Sequence, residues 1–541
     1  MRKKASVLLA AVIGCGLLLS GCGGTETTGP EGGDRGDATK IVIYAGGSSE
    51  FSWVKGSEET EIIDHIEQAY YEDTGVSLDF EITYSGKDLT TQMNNAMAGG
   101  DQLDIAISHT RGGAGIDDTV VANDWYLDIA EYLEDYGTNI LDSIEGEPIE
   151  ALTTVQNEVI GIPSVISPYK FGILVRKDWM EACGYTDDAQ KAQTEFTAGV
   201  NYKLVDNLAT FEEMCLAMKE KYNLNHVITG APWDLEKVLT LGAFGDSGYF
   251  TYTTRTDGEG NEYVVPGFAT DEYKDVLQLE YDWASKGITS DESEIILLEQ
   301  GETNFISGKT GVFVLDPTVT HLIKVARRCK AIDSSAEFTV LGALTETADT
   351  SKKGFMKNSP ATFAACIMKT SQNAAAIIQF INWVYANEDN YNLCRYGIEG
   401  VHWVDNGDGT YSYPEGKESY ITSPPYSGIL TLVENQNVSN LIYAGYSDEE
   451  KAWLATAAQE SNYIENDLIN YLWPSAPANI LNSFTQQKQV VYGRVSEAWS
   501  GRTNPSSGYA AAVSAYLSGG GQAYQDFLTS QYKIMKLQRE S

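Results

Sequence analysis

Residues 157–185, NEVIGIPSVISPYKFGILVRKDWMEACGY, decide how the chain is organised. Two short apolar runs, Val159–Ile162 and Phe171–Val175, predict two strands, and Pro163 and Pro168 lie between them. Proline fixes φ and has no amide proton to donate, so continuous helix or a central strand is disfavoured at these positions. We interpret the proline-marked segment as a hinge between two lobes that hold a ligand in the gap between them. An ordinary strand–loop–strand within one domain would produce the same local pattern.

The elements before this segment predict a mixed α/β fold. An apolar strand at 40–44 is followed by a helical pattern, by strict alternation at 76–84, and by a second helix that precedes the buried strand 103–107. This order favours a mostly parallel sheet with helices on its faces, in which ligands bind beyond the carboxyl ends of the strands. The loops in that position are 45–53 and 108–115.

Capping patterns predict where two later helices begin. Asp178 follows the second apolar run and is predicted to be the N-cap of a helix that ends at Gly184. Thr210 and Glu213 match the capping box, which predicts a helix from that point to about Tyr222.

The first residues form a targeting segment rather than part of the fold. A basic start precedes an apolar run, Ala5–Leu19, which is too short for a typical membrane-spanning helix. The run ends in LSGC at 19–22, which resembles the bacterial lipobox, whose cysteine is lipidated after cleavage. We therefore expect a lipoprotein signal peptide at 1–21, a lipid (palmitate) anchor on Cys22 and a flexible tether at 22–39. A plain secretory signal is the alternative.

The composition argues against several classes of partner and chemistry. The 541-residue chain has 76 Asp and Glu against 37 Lys and Arg, a net charge of −39, which disfavours nucleic acid and anionic membrane surfaces. It is long enough for two or three domains. It has five histidines, no HExxH and no GxSxG, so it lacks the signatures of a zinc hydrolase and an α/β-hydrolase, and we expect no cofactor.

The cysteines and the acidic turns are interpreted as structural features. The cysteines after Cys22 show no CxxC pair, and we expect mostly buried thiols, although an extracellular location permits one disulfide. They are Cys183, Cys215, Cys329, Cys366 and Cys394. The turns 257–261 and 405–408 have acids spaced as in a Ca²⁺ loop, but hairpin turns explain them better, and we expect no metal.

Several stretches occur in an order that carries a family resemblance. They are Leu103–Ala106, Glu158–Pro163, Val175–Trp179, Phe305–Gly311, Ala374–Tyr385, Tyr396–Trp403 and the Asp405–Thr410 hairpin. From about Lys40 to the C-terminus the chain resembles the lipoprotein solute-binding subunits of bacterial ABC importers. Within them it resembles the carbohydrate-binding group, family 1, which includes maltose-binding protein.

The resemblance implies a two-lobed α/β fold of the periplasmic-binding-protein type (type II), with a hinge and an interlobe ligand cleft. Lobe one would comprise 40–165 and 355–425, and lobe two 166–354 and 426–541. It further implies a monomer on the extracellular face of the cell membrane that delivers an oligosaccharide to the permease subunits of an ABC transporter and is not an enzyme. Closure of the lobes around the ligand would be a hinge motion.

A site for a neutral sugar needs aromatic platforms for its C–H faces and directional polar groups for its hydroxyls. Trp53 and Glu50 follow the first strand, and Tyr169 lies in the hinge. The resemblance places further contacts at positions after later strands, and two residues of the 396–403 motif either line the cleft or pack the hairpin. These further candidates are His109, Arg111, Trp233, Asp316, His402 and Trp403.

Two other classes of function stay open at this stage. Two positioned carboxylates suffice for glycoside cleavage, and acids are abundant, so a secreted carbohydrate-active enzyme is one alternative. A binding protein for peptides or another solute is the second, because a few local residues rather than overall composition decide the charge of a ligand.

Overall fold

The computed structural model describes residues 37–46, 53–86, 88–109, 124–193, 201–240, 248–344, 354–421, 423–465 and 467–540. The signal peptide, Cys22, Glu50 and Arg111 lie outside the described residues, and so does the side chain of His109. Among the described helices, none combines the length and the apolar character needed to cross a membrane.

Short strands alternate with helices along the chain. The strands, in chain order, are β1 (Thr39–Gly46), β2 (Leu78–Gly86), β3 (Ile105–His109), β4 (Ile162–Pro163), β5 (Ile173–Arg176), β6 (Tyr185–Thr186), β7 (Lys203–Leu204), β8 (Ile228–Thr229), β9 (Tyr252–Thr256), β10 (Glu262–Pro266), β11 (Val312–Phe313), β12 (Phe338–Leu341), β13 (Phe355–Met356), β14 (Phe363–Ile367), β15 (Val404–Asp405), β16 (Thr410–Ser412), β17 (Ile442–Tyr443) and β18 (Tyr463–Ile464). The α-helices are α1 (Glu59–Thr74), α2 (Leu89–Gly99), α3 (Ala130–Tyr136), α4 (Thr138–Ile144), α5 (Glu147–Glu150), α6 (Lys177–Ala182), α7 (Ala189–Gln193), α8 (Leu208–Tyr222), α9 (Pro232–Leu235), α10 (Asp271–Lys286), α11 (Leu298–Ile306), α12 (Val319–Ile332), α13 (Ala374–Val384), α14 (Glu388–Tyr396), α15 (Asp448–Ala457), α16 (Ala478–Trp499), α17 (Tyr509–Tyr516) and α18 (Gln522–Glu540).

The first lobe is built on a five-stranded sheet in the order β2-β1-β3-β14-β4. β1 is parallel to both β2 and β3, as the strand–helix order predicts, whereas β14 arrives from much later in the chain and is antiparallel to β3. The apolar face of α1, with Ile62, Ile66 and Tyr70 buried, packs into the core of this sheet. That core also contains Ile429–Val433, which lies beyond residue 425.

The second lobe is built on a four-stranded sheet in the order β12-β5-β11-β8. β8 and β11 are parallel neighbours, so the loops that follow them lie at the same edge of the sheet. Next to this lobe, the C-terminal helices α16, α17 and α18 bury a separate apolar core against β10 and α10, in which Trp499, Tyr516 and Leu528 are buried.

The stretch 157–185 leaves the first sheet at β4 and enters the second at β5. Next to it, the Val165 amide donates to the Glu434 carbonyl (2.8 Å), and the Gln436 amide donates to the Val165 carbonyl (2.7 Å). The Ile166 amide donates to the Pro360 carbonyl (3.3 Å). Three segments from distant parts of the chain therefore run side by side between the two sheets, which is the arrangement of a hinge.

The cap predicted at Asp178 is wrong. The helix α6 begins at Lys177, with Arg176 at the N-cap position, and Asp178 lies in its first turn. The Asp178 carboxylate instead accepts two hydrogen bonds from the Arg176 guanidinium, at 2.8 and 2.6 Å. Arg176 is almost fully buried, so its guanidinium competes successfully with the backbone amides for this carboxylate.

The cysteines match the prediction of mostly buried thiols. All five described cysteines are free, and only Cys183 is partly exposed. Burial raises the pKa of the Cys366 and Cys394 thiols well above the usual value, which makes them unreactive core residues.

Candidate ligand-binding site

A cavity of about 640 Å³ opens between the two lobes. Trp53, Lys55, Phe363, Arg395 and Glu434 line it from the side of the first lobe and the hinge, and Lys324 of α12 lines it from the second lobe. We refer to it as the interlobe cavity.

Aromatic rings form part of the first-lobe wall of the interlobe cavity. The Trp53 and Phe363 rings meet edge to face, with their centroids 5.4 Å apart. Phe363 begins β14, where its backbone pairs with His109 at the carboxyl end of β3. The structure therefore brings the Trp53 position and the His109 backbone to the same wall, as expected for loops at the carboxyl ends of neighbouring strands.

On the second lobe, Asp316 and Trp233 lie at the edge formed by the parallel strands β8 and β11. The backbone of Asp316 hydrogen-bonds to Asp234, which directly follows Trp233. Trp233 is half-buried and packs against an apolar core of this lobe; it is not among the residues that line the interlobe cavity. Trp233 and Asp316 therefore lie close together at one sheet edge, on the opposite lobe from Trp53.

The Asp316 carboxyl is 5% exposed and engaged by its own loop. It accepts a hydrogen bond from the Thr318 hydroxyl (3.1 Å) and lies 3.6 Å from Nδ1 of His321. Burial raises the pKa of Asp316, while His321, Thr318, Lys170 and Lys237 act against that rise. Asp316 has φ +46°, a left-handed conformation that Asp tolerates better than most residues and that turns the chain sharply after β11.

Three other candidates do not line the interlobe cavity. The Tyr169 ring packs against Tyr463, with centroids 5.1 Å apart. His402 is 1% exposed; its Nδ1 accepts from the Ile398 amide (3.0 Å) and its Nε2 lies 3.2 Å from Glu58. The Trp403 indole donates to the Gly397 carbonyl (2.8 Å). His402 and Trp403 thus make their described contacts within the 396–403 motif and with Glu58.

Sequence reasoning missed an ion pair in the interlobe cavity. Nη2 of Arg395 lies 2.8 Å from Glu434, and the two residues are 39 positions apart. Burial acts to raise the pKa of Glu434, but Arg395, Gln436 and Lys170 outweigh it and hold that pKa below its usual value. No local motif marks either residue, because Arg395 ends a helix of the first lobe and Glu434 lies in a hinge segment.

Two lysines near this pair were also missed. Burial lowers the pKa of Lys170 to about 8, with Asp316 and Glu434 opposing the change and Lys237 adding to it. Burial also lowers the pKa of Lys324, opposed by Asp316 and assisted by Arg395. Charged groups of the two lobes therefore lie close enough to shift one another's pKa values.

The acidic turns form hairpins, and their carboxylates are occupied. Asp257 accepts from the amides of Glu259 and Asn261, each at 2.9 Å, in the turn between β9 and β10. Asp405 and Asp408 accept from the amides of Gly407 and Thr410 between β15 and β16. Within the part of the chain that the structure describes, His, Cys, Asp and Glu side chains form no group of three suited to a metal ion.

No protein-family model matches the chain. In sequence it is similar to the polygalacturonan/rhamnogalacturonan-binding protein YtcQ of Bacillus subtilis (strain 168), with 22% identity over 444 residues, 79% of this chain and 80% of that protein.

Solved structures give the fold. The N-glycan transport solute binding protein NgtS from Streptococcus pneumoniae superposes with a TM-score of 0.64 at 16% identity, over 92% of this chain and 99% of that chain. The alginate-binding protein AlgQ2, without calcium ion, superposes with a TM-score of 0.64 at 14% identity over the same shares. These likenesses confirm the predicted two-lobed α/β architecture, and the chain has the fold of carbohydrate-binding solute-binding proteins of ABC transporters.

Proposed function

We propose that this protein is the extracellular, lipid-anchored solute-binding component of an ABC importer. It takes an oligosaccharide into the interlobe cavity and delivers it to the membrane permease without breaking a bond. The observation that supports this most is a cavity lined from both lobes beside a hinge of three segments that run side by side, with aromatic and charged side chains facing it. The solved structures named for N-glycan transport and for alginate binding have the same overall fold, and a relative named for binding polygalacturonan and rhamnogalacturonan is similar in sequence.

The cavity wall suits a saccharide physically. Sugar rings present C–H faces that pack on aromatic rings, and Trp53 with Phe363 offers such a surface on one lobe. Glu434 and Arg395 offer acceptors and donors for hydroxyl groups beside it. Lys324 stands on the opposite lobe, so rotation about the hinge would bring it towards a ligand held against Trp53. The closed form would be the one that the permease recognises.

We keep all nine candidate residues in this proposal, and we assign them different roles. Trp53 is the primary platform, and Asp316 with Trp233 forms the facing edge of the second lobe that reaches the ligand on closure. His109, Arg111 and Glu50 stay predictions, because the side chain of His109 and all of Arg111 and Glu50 lie outside the described residues. Tyr169, His402 and Trp403 support the hinge and the hairpin.

The lobe division follows the cores. We propose that 40–165 and 355–433 belong to lobe one, because residues 429–433 pack in its core beyond the expected bound at 425. Lobe two would comprise 166–354 and the C-terminal helices, with the chain crossing the hinge three times.

A ligand panel tests the proposed function. Thermal unfolding of the mature chain is measured with neutral and acidic oligosaccharides and with peptides, because a ligand bound only by the native state raises the melting temperature. We expect a saccharide to raise it, with a Kd on the order of micromolar by calorimetry. A response to peptides alone would contradict the proposal. Chromatography of the same mixtures must return the saccharide uncleaved; product formation would support the enzyme alternative.

The anchor has its own test. Mass spectrometry of the membrane-associated protein should find a lipidated N-terminal Cys22, and Cys22→Ser should release the protein from the membrane. Retention of Cys22→Ser at the membrane would overturn the anchor and leave saccharide binding untouched.

A further inference from the structure

The charge of the interlobe cavity is opposite to that of the protein. The chain carries a net charge of −39. The charged residues that line the cavity are nevertheless Lys55, Lys324, Arg395 and a single acid, Glu434. A random sample of this surface would be rich in carboxylates, so the cavity is a local region of positive potential.

The one acid is already neutralised, and Lys324 is not. Glu434 is paired with Arg395 at 2.8 Å. Lys324 is exposed at the cavity wall, and it forms no hydrogen bond or ion pair with any residue that the structure describes. An unpaired ammonium group at the wall of a cavity is available to an anion, to which it can donate charge-assisted hydrogen bonds.

Other cations add to the positive potential around Lys324. Arg395 faces it from the first lobe and lowers its pKa, and Asp316 is the acid that opposes this. Lys170 and Lys237 in turn act to lower the pKa of Asp316. Burial raises the pKa of Asp316 and of its neighbour Asp234, the latter to about 6, so these acids hold their negative charge less firmly than exposed ones.

We propose that the ligand is an acidic oligosaccharide whose hexuronate carboxylates bind Lys324 and Arg395 from opposite sides of the interlobe cavity. The inference rests on the proposed function, because it assigns a substrate class to the same site. The guanidinium and ammonium groups supply charge-assisted hydrogen bonds to a carboxylate. The Trp53 and Phe363 rings receive the apolar face of the sugar that carries it. Because Lys324 belongs to the second lobe, the carboxylate also favours closure.

The experiment compares each acid with its own methyl ester. Calorimetry on the full mature chain uses trimers of galacturonate, of mannuronate and of glucuronate, each beside its methyl ester, which keeps the sugar and removes the charge. Neutral and sulfated trimers complete the panel. We expect at least one hexuronate trimer to bind about tenfold or more tightly than its ester. Its affinity should fall between about 50 mM and about 300 mM salt, whereas that of the ester should not.

A pair of variants on one helix isolates Lys324. Lys324→Gln keeps a polar side chain that is one atom shorter and removes its charge, and we expect it to weaken the acidic trimer about tenfold and to leave the ester unchanged. Lys330→Gln is the control, because Lys330 lies on the same helix α12 but faces Glu449 outside the cavity. It should change neither affinity.

Each remaining outcome is decisive. Equal affinity for acid and ester, or loss on Lys324→Gln that is the same for both, overturns the acidic assignment and leaves oligosaccharide binding intact. Binding of neutral or sulfated trimers alone also overturns the hexuronate assignment and leaves oligosaccharide binding intact. If no saccharide binds, the proposed function fails and this inference fails with it.

Discussion

Two neighbouring clusters of aromatic and charged side chains differ in what their polar groups face. The first cluster, which we call the hairpin cluster, comprises Glu58, His402 and Trp403. In it, Glu58 lies close to His402, and the Trp403 indole donates a hydrogen bond to a backbone carbonyl. In the interlobe cavity, Trp53 and Lys324 face open space between the lobes. Residue type alone would class both clusters as sugar sites. The comparison teaches that the availability of the polar groups separates a binding surface from a packed one.

The substitution with the largest expected effect is Trp403→Ala in the hairpin cluster, and it acts on the stability of the protein. Trp403 is buried and its indole is hydrogen-bonded, so Trp403→Ala removes both a large apolar ring and a satisfied donor. We expect the free energy of unfolding to fall by about 3 kcal/mol or more, measured by denaturant titration. Affinity per folded molecule should be unchanged. A variant that keeps its stability and loses affinity would move Trp403 into the binding site and break the comparison.

The next effect is on binding. Trp53 is half-buried and its ring borders the interlobe cavity, so Trp53→Ala should reduce affinity for the saccharide by about 2 kcal/mol, measured by calorimetry. Trp233→Ala is the counterpart on the other lobe, where part of the ring already packs against the core, and we expect a smaller loss of about 1 kcal/mol. Unchanged affinity in both variants would remove the aromatic platforms from the site.

The smallest expected effect is the contribution of Asp234 to the pH dependence of stability. Burial raises the pKa of Asp234 to about 6, above its ordinary 3.8. Between these values the folded protein holds a proton that the unfolded chain has released. The contribution of Asp234 to stability is therefore favoured at low pH and declines as the pH rises towards 6. Asp234→Asn cannot lose a proton.

Denaturant titrations at a series of pH values measure this effect. Relative to Asp234→Asn, the native protein should lose roughly 1–2 kcal/mol of unfolding free energy between about pH 4 and about pH 6.5. Parallel curves for the two proteins would show that Asp234 titrates normally. An exposed control, Asp257→Asn in the turn between β9 and β10, should not reproduce the difference in slope.

Local patterns in the sequence predicted the first lobe well. The apolar run of β1 and the alternation in β2 were sufficient, because both faces of β1 are buried at Ile41–Ile43 and β2 is a more exposed edge strand of the sheet. Trp53 was predictable because it follows the first strand of a parallel sheet, where ligand-binding loops gather. The stretch 157–185 indicated the hinge because its prolines exclude a continuous sheet strand.

Features that depend on competition between nearby groups were harder to predict. The helix α8 was expected to begin at Thr210, but it begins at Leu208, because the Asn207 side chain caps it by accepting from the Thr210 amide at 2.9 Å. Both residues are good caps, and the sequence does not rank them. For a similar reason, Asp178 does not cap its helix, because its carboxylate accepts hydrogen bonds from the buried Arg176.

The charged part of the site was beyond local reasoning. Arg395, Glu434 and Lys324 come from a helix of one lobe, a hinge segment and a helix of the other lobe, and only the threefold crossing brings them together. Each reads in the sequence as an ordinary surface charge of an acidic protein. The pairing becomes apparent only when the topology is known.

Closure of the two lobes on a saccharide is the claim from which the rest follows, and small-angle X-ray scattering tests it most directly. The radius of gyration of the mature chain is measured alone and with a saturating concentration of the tightest-binding oligosaccharide of the panel. We predict a smaller radius of gyration with the ligand, as Lys324 and Trp53 approach each other across the interlobe cavity. Tight binding with an unchanged scattering curve would contradict the account.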